Sequence, residues 1–258
     1  MSTRHQDENL HISEHDLLRL TADMEEAHQA TLPGLHEGVE ELVEEVREED
    51  VRRREFLVGI GVAAAGMALI ARNGSASAYA AESSPLAKPS PYTGDLKVVA
   101  LAVALENQAT HAYAAALKAA RAGRLGKVPA AVATFAVTAM NQHTAHAKAW
   151  NAVLIGAGRP AIKGVPLTNQ PAVLKALNKV TSITDVARLA LSLEEQAAQT
   201  YSFATTHVTS PAGIKTAASI APVEAQHAAI LHFVLGEYPV QDTFLPLNKA
   251  AQPALLTI

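Results

Sequence analysis

The 258-residue sequence contains no cysteine. That excludes disulfide scaffolds, Cys-ligated zinc, iron–sulfur clusters and thiol catalysis. Aromatic residues are scarce, at 4%, with one tryptophan. No phosphate-binding loop, Ser/His/Asp signature or Gly-rich nucleotide fingerprint occurs, which argues against a conventional hydrolase, kinase or dehydrogenase. The net charge of −4 lacks the basic excess of a dedicated nucleic-acid binder, so no nucleic-acid partner is expected. Nearly half the residues are apolar, and the length suffices for one sizeable core.

The charge is unevenly placed. Residues 1–50 carry −12, residues 51–80 carry +3 and residues 81–258 carry +5. Such a shift points to separate roles for the three segments. The first reads as an acidic leader. Val39, Leu42, Val43 and Val46 show helical spacing, and five histidines (His5, His11, His15, His28, His36) are scattered through it. Metal capture or an interaction tail is one reading of those histidines. So acidic a composition resists core formation, and the expectation is a solvated leader, partly helical and partly disordered.

Residues 51–80 have the order of an export signal. Arg52-Arg53-Arg54-Glu55-Phe56-Leu57 precedes a Gly/Ala-rich apolar run from Val58 to Ala71, and Ser75–Ala80 has small residues at alternate positions. The run is shorter than the roughly 20 residues that span a membrane. The Arg-Arg-x-Phe-Leu core resembles the twin-arginine signal, with Arg52 where that motif has Ser or Thr. The resemblance implies the twin-arginine export machinery as a partner and transport, already folded, across a bacterial inner membrane. The destination is then the periplasm, the cell envelope or the medium. Cleavage is expected after Ala80, with Ala78 the alternative. If the segment is retained, residues 52–71 are the membrane contact. Residues 81–94, with three prolines, read as a linker.

The remainder is helical. Apolar residues recur at three and four between Asp95 and about Ala122, and Gly123 and Gly126 end that helix. Pro129 opens a second, to about Gly156. A 25-residue connection (157–181) holds a short helical stretch, Pro171–Lys179. Ser182-x-x-Asp185 reads as the capping box of a third long helix, to about His207, and Ser210-Pro211 opens a fourth that ends at Gly236. Pro222 inside the fourth suggests a kink or two segments. Short, long and short connections describe two helical hairpins joined by a crossover, an all-α four-helix bundle over 95–237. Residues 238–258 form a Pro-punctuated tail.

The hairpin is repeated. Leu105–Ala109 aligns with Leu193–Ala197 at an offset of 88, which brings Tyr113 onto Tyr201. Gln142–His146 aligns with Val223–His227 at an offset of 81. Between Asp95 and Glu237 only five acids occur: Glu106, Asp185, Glu194, Glu195 and Glu224. Asp185 caps a helix, and the other four stand mid-helix among alanines. Surface helix faces normally carry scattered acids. Acids confined to repeat-related interior positions need partners, and a metal ion is the obvious one. Glu224 and His227, like His143 and His146, are spaced i, i+3 and so project from one face.

One Glu on each of two helices, with Glu-x-x-His on the other two, is the ferritin-like dinuclear carboxylate pattern. Over residues 95–237 the sequence resembles the ferritin-like superfamily, most of all its twin-arginine-exported bacterial members. The resemblance implies metal ligands at Glu106, His143, His146, Glu194, Glu224 and His227. It implies a bound metal, iron first (dinuclear or mononuclear), with Mn, Zn or Cu also suited to the donors. It implies metal storage or chemistry with oxygen or peroxide. His143 departs from the pattern, which has a bridging Glu there. Glu195 competes with Glu194 but has only Asn107 as its repeat counterpart. A helical envelope bundle with a degenerate site is the alternative. Gln108 and Gln196 are read as supports for the ligands or as flanking residues. Tyr113 and Tyr201 are read as packing residues with a satisfied hydroxyl, the alternative being a hydrogen bond to a ligand or an electron relay. Trp150 is read as a packing residue, and His111, His207 and His232 as surface or hydrogen-bonded histidines.

Overall fold

A computed structural model describes residues 11–67, 90–240 and 245–258; for 50, 51 and 53–67 it describes the backbone alone. Among the described residues there is no strand, only an isolated bridge between Leu167 and Leu256. The helices are α1 (Glu14–Met67), α2 (Asp95–Arg121), α3 (Ala130–Gly156), the short α4 (Gln170–Leu177), α5 (Ile183–His207) and α6 (Pro211–Leu235), with a 3₁₀ turn at Pro253–Leu255.

Helices α2 and α3 form one hairpin and α5 and α6 the other, and α4 lies in the crossover. The ends are set by local chemistry. Ser182 accepts the Asp185 amide while the Asp185 carboxylate accepts the Ser182 amide, a reciprocal cap on α5. Ser210 caps α6 through the Gly213 amide, with Pro211 in the first turn. Gly236 stops α6 at φ 72°, a left-handed conformation that glycine adopts without steric cost. Helix α6 runs unbroken through Pro222, so the expected division into two segments does not occur. The missing N–H costs one hydrogen bond, and the packing on both sides keeps the helix continuous.

The leader departs most from expectation. Composition pointed to a solvated segment. The structure instead has α1 packed along α3 and α6. Leu17, Thr21, Met24, His28, Leu35, Val39, Leu42 and Val46 are all buried, at spacings of three, four or, once, seven residues. Leu35, Val39, Leu42 and Val46 join a core with Trp150, Val153, Leu154 and Ile220. Leu17 and Met24 join a second with Phe135, Leu231 and Leu235. Most of the acids lie on the outer arc, where Glu37 and Glu41 reach Lys215 at 3.6 and 3.4 Å. Net charge sums over the whole circumference of a helix, whereas burial needs only one stripe. Approach is close. A Cβ on Gly38 would stand 2.7 Å from Thr216 Oγ1.

Two other segments close the bundle. Buried Tyr92 anchors the end of the expected linker, its hydroxyl donating to Pro160 O at 2.9 Å. The C-terminal tail folds back on α5, where Lys249 N donates to Gln199 Oε1 and Ala251 N to Thr200 Oγ1. Residues 68–80 of the expected signal, with Ala78 and Ala80, and most of the linker lie outside the described residues. No described helix is long and apolar enough to cross a membrane.

Candidate metal centre

Glu106 comes from α2, His143 and His146 from α3, Glu194 from α5, and Glu224 and His227 from α6. Each is at most 2% exposed. The flanking alanines and leucines put these helix faces inward, and the i, i+3 spacing aims both side chains of α3, and both of α6, at one point. The structure brings all six residues together. Glu106, His143, His146 and Glu224 form one group with ligand atoms mutually within 4.8 Å; His143, Glu194, Glu224 and His227 form a second. The groups share His143 and Glu224.

His143 takes the central place. Its Nδ1 stands 2.7 Å from Glu106 Oε2 and its Nε2 3.1 Å from Glu194 Oε1, so one ring ties the two halves together. His146 Nδ1 donates to Glu224 Oε1 at 3.0 Å, and His227 Nδ1 to Glu194 Oε2 at 3.2 Å. Burial alone would raise the Glu106 carboxyl and lower the imidazoles. The opposite charges win: His146 and His143 hold Glu106 at about 2, and the carboxylates raise His146 to about 9. Against the same burial, Glu194 is pushed well below, and His143 well above, their ordinary values. Without an ion, imidazolium protons therefore balance the buried carboxylates.

The duplicated tyrosines are crossed. Tyr113 of the first hairpin donates to Glu194 of the second, and Tyr201 of the second donates to Glu106 of the first. Tyr201 also accepts the Trp150 Nε1–H at 2.8 Å. The tyrosines therefore hold carboxylates of the cluster as well as packing in the core. Small cavities adjoin both pairs, about 20 Å³ beside Glu106, His143 and Tyr201 and about 10 Å³ beside Tyr113 and Glu194. The first holds one water-sized molecule.

A metal fits this donor set. Glu224 Oε2 is buried and accepts no hydrogen bond, although His227 Nδ1 and His143 Nδ1 lie 3.4 and 3.6 Å away. An orphaned buried acceptor costs about 1–3 kcal/mol. This one belongs to the carboxylate that both groups share. Carboxylates with imidazoles suit Fe, Mn, Zn or Cu and disfavour Mg or Ca.

Glu195 stands outside the cluster, paired with Lys249 and 3.8 Å from His232 Nε2. Gln108 donates to Asn169 Oδ1 and Gln170 Oε1 and so ties α2 to the crossover rather than to the cluster. Gln196 is half-buried. His111 and His207 are exposed, and His232 Nδ1 donates to Glu237. Sequence reasoning missed Gln142 and Glu25 as neighbours of the cluster, and took His28 only as one of five scattered leader histidines. Gln142 is 1% exposed and contacts His227 Nε2. Its signal was a buried-face amide one residue before His143. His28 lies on α1 with its ring 5.2 Å from that of His146; its signal was its place in the apolar stripe of the leader.

A model of the ferritin-like domain family matches residues 94–237. No curated protein and no solved structure matches the chain.

Proposed function

The chain belongs to the ferritin-like domain family, and on that premise we propose that it is an exported metal-binding protein whose carboxylate/histidine centre turns over oxygen or peroxide or stores metal. The observation that carries the reading is the buried cluster of three carboxylates and three imidazoles around the unpartnered Glu224 Oε2. Iron is the first metal of this reading, then manganese. Glu106 and Glu194 would be the terminal carboxylates, Glu224, common to both groups, the shared one, and His146 and His227 would offer nitrogen donors. His143 stands where the family pattern has a second bridging carboxylate, which favours one strongly held ion over a symmetric pair.

A bound metal supplies Lewis acidity and, for iron or manganese, electron exchange with a small oxidant. The chain's own residues do the rest. Tyr113 and Tyr201 hold Glu194 and Glu106 in place. The histidines release protons as an ion enters. The alanine-rich walls exclude bulk water, and the small cavity beside Glu106 has room for a water-sized molecule and not for an organic substrate.

Elemental analysis of the full chain, purified without chelator, tests this. About one or two Fe or Mn per chain is the expected result. A protein that stays empty when supplied with Fe, Mn, Zn and Cu overturns it. That outcome would favour the second reading, a structural bundle, because His143 already satisfies Glu106 and Glu194 without an ion. Export through residues 51–80 is part of the proposal, supported by the Arg-Arg-x-Phe-Leu motif and the apolar run that follows. Replacing Arg53 and Arg54 by lysine should hold the protein in the cytoplasmic fraction; unchanged fractionation refutes that route.

A further inference from the structure

We propose that α1 sets the metal-binding form of His227, with Glu25 as a positioning residue acting through Gln142. This rests on the metal-site reading above and adds a control on that site from outside the four-helix bundle.

Hydrogen-bond direction is fixed along one chain of groups from Glu25 to His227. A carboxylate accepts and does not donate. Glu25 Oε2 lies 2.7 Å from Gln142, so the amide group facing it is the Nε2 donor. Its other oxygen, Oε1, accepts from Gln29 Nε2 at 2.6 Å, which holds the carboxylate in place on α1. With Nε2 committed to Glu25, Gln142 turns its Oε1 to the ring nitrogen of His227 at 2.8 Å. An amide oxygen only accepts, so His227 keeps its proton on Nε2. Nδ1 is then the nitrogen left for an ion, and it already faces Glu194 Oε2 at 3.2 Å and Glu224 Oε2 at 3.4 Å. Partners beyond the ligands commonly fix the tautomer of a ligating histidine in this way. Here the outermost partner lies on the leader.

A second contact on the same helix points the same way. His28, one turn from Glu25, is buried, neither of its ring nitrogens has a hydrogen-bond partner, and its ring packs edge-on against His146. One face of α1 thus reaches a nitrogen donor of each four-residue group. Metal occupancy and docking of α1 then support each other. Glu25 precedes the export segment, so cleavage after Ala80 would take the control away from the bundle.

The test uses the full chain and zinc as a diamagnetic probe. Zinc affinity is measured by chelator competition, and the His227 ring nitrogens are followed by 15N NMR. In the wild type, Nδ1 should carry the metal and Nε2 the proton. Glu25→Gln is nearly isosteric but lets the Gln142 amide face either way. It should weaken zinc binding about 10–100-fold and lose the single His227 pattern. Gln142→Glu keeps an acceptor on His227 and removes the donor to Glu25. It should bind zinc no more weakly than wild type and keep the single His227 pattern, although the bond to Glu25 is gone. Wild-type affinity together with an unchanged His227 pattern in Glu25→Gln overturns the proposal and leaves the metal site standing. A wild type that takes up neither zinc nor, in the same competition, iron, manganese or copper overturns both.

Discussion

His143→Glu would restore the second carboxylate of the family pattern, and its consequences differ in sign with and without metal. In the metal-free protein the His143 ring joins Glu106 and Glu194 at 2.7 and 3.1 Å. The substitution removes both donors and adds a fourth acid to a buried site. Hydrogen bonds to charged groups are worth about 1.5–3 kcal/mol each, so the pair amounts to about 3–6 kcal/mol. A proton shared among the carboxylates recovers part of this, which favours the lower end. For a domain of this size, 1 kcal/mol moves Tm by roughly 2–4 °C, so the chelated variant should melt on the order of 10 °C below wild type. Metal reverses the balance, since four carboxylates match two divalent ions and the introduced carboxylate would supply the second bridge. Binding at a hundredfold excess over Kd returns about 2.7 kcal/mol per site. The assay is thermal unfolding by circular dichroism with chelator and then with manganese(II), alongside metal-to-protein ratios. A variant that melts with the wild type under chelator, and whose metal ratio is unchanged, refutes the assigned place of His143.

Three further outcomes follow from the geometry. Glu194→Ala and His227→Ala should each lose most bound metal, whereas Glu195→Ala, which breaks only the Lys249 and His232 contacts, should keep it; elemental analysis decides, and full occupancy in the first two refutes the site. The chelated protein should be most stable near pH 6.5. The raised His146 contributes stability that is lost as pH climbs from 6.5 through about 9. On the acid side, His28, lowered to about 4 by burial, and Glu106, lowered to about 2, lose theirs as pH falls through 6.5 to 4 and 4.5 to 2; a melting series across pH with no alkaline decline contradicts this. Leu42→Ala, at a position 0% exposed on α1, should cost about 2–5 kcal/mol in chemical denaturation of the full chain, where a solvated leader would show no change.

The legible part of the fold was the part written in local patterns. Each helix of the bundle follows from its periodicity and its caps. Ser182 with Asp185, Ser210 with Pro211, and Gly236 act where the spacing places them. The cluster was legible because acids are so few in the second half of the chain that their repeat-related positions stand out. Glu194 and Glu195 could be told apart by the repeat, since only Glu194 has a counterpart in Glu106. The docking of α1 was hidden behind its charge. Its apolar stripe was visible near Val39–Val46, but fifteen acids in residues 1–50 argued for solvent.

The sequence by itself determined the helices, the duplicated hairpin and the six residues that meet at its centre, because periodicity and repetition are properties of the chain. Only the tertiary structure decided three further things. It crossed the tyrosines, so that each hairpin holds the other's glutamate. It turned Gln142 from a helix-face amide into the link between Glu25 and His227. It also laid the acidic leader in the groove of α3 and α6. These depend on which faces meet, and the tyrosine and glutamine bonds among them span 81 to 117 residues of chain. A hydrogen bond between such distant groups leaves no periodic trace, because its partner is selected by packing rather than by spacing.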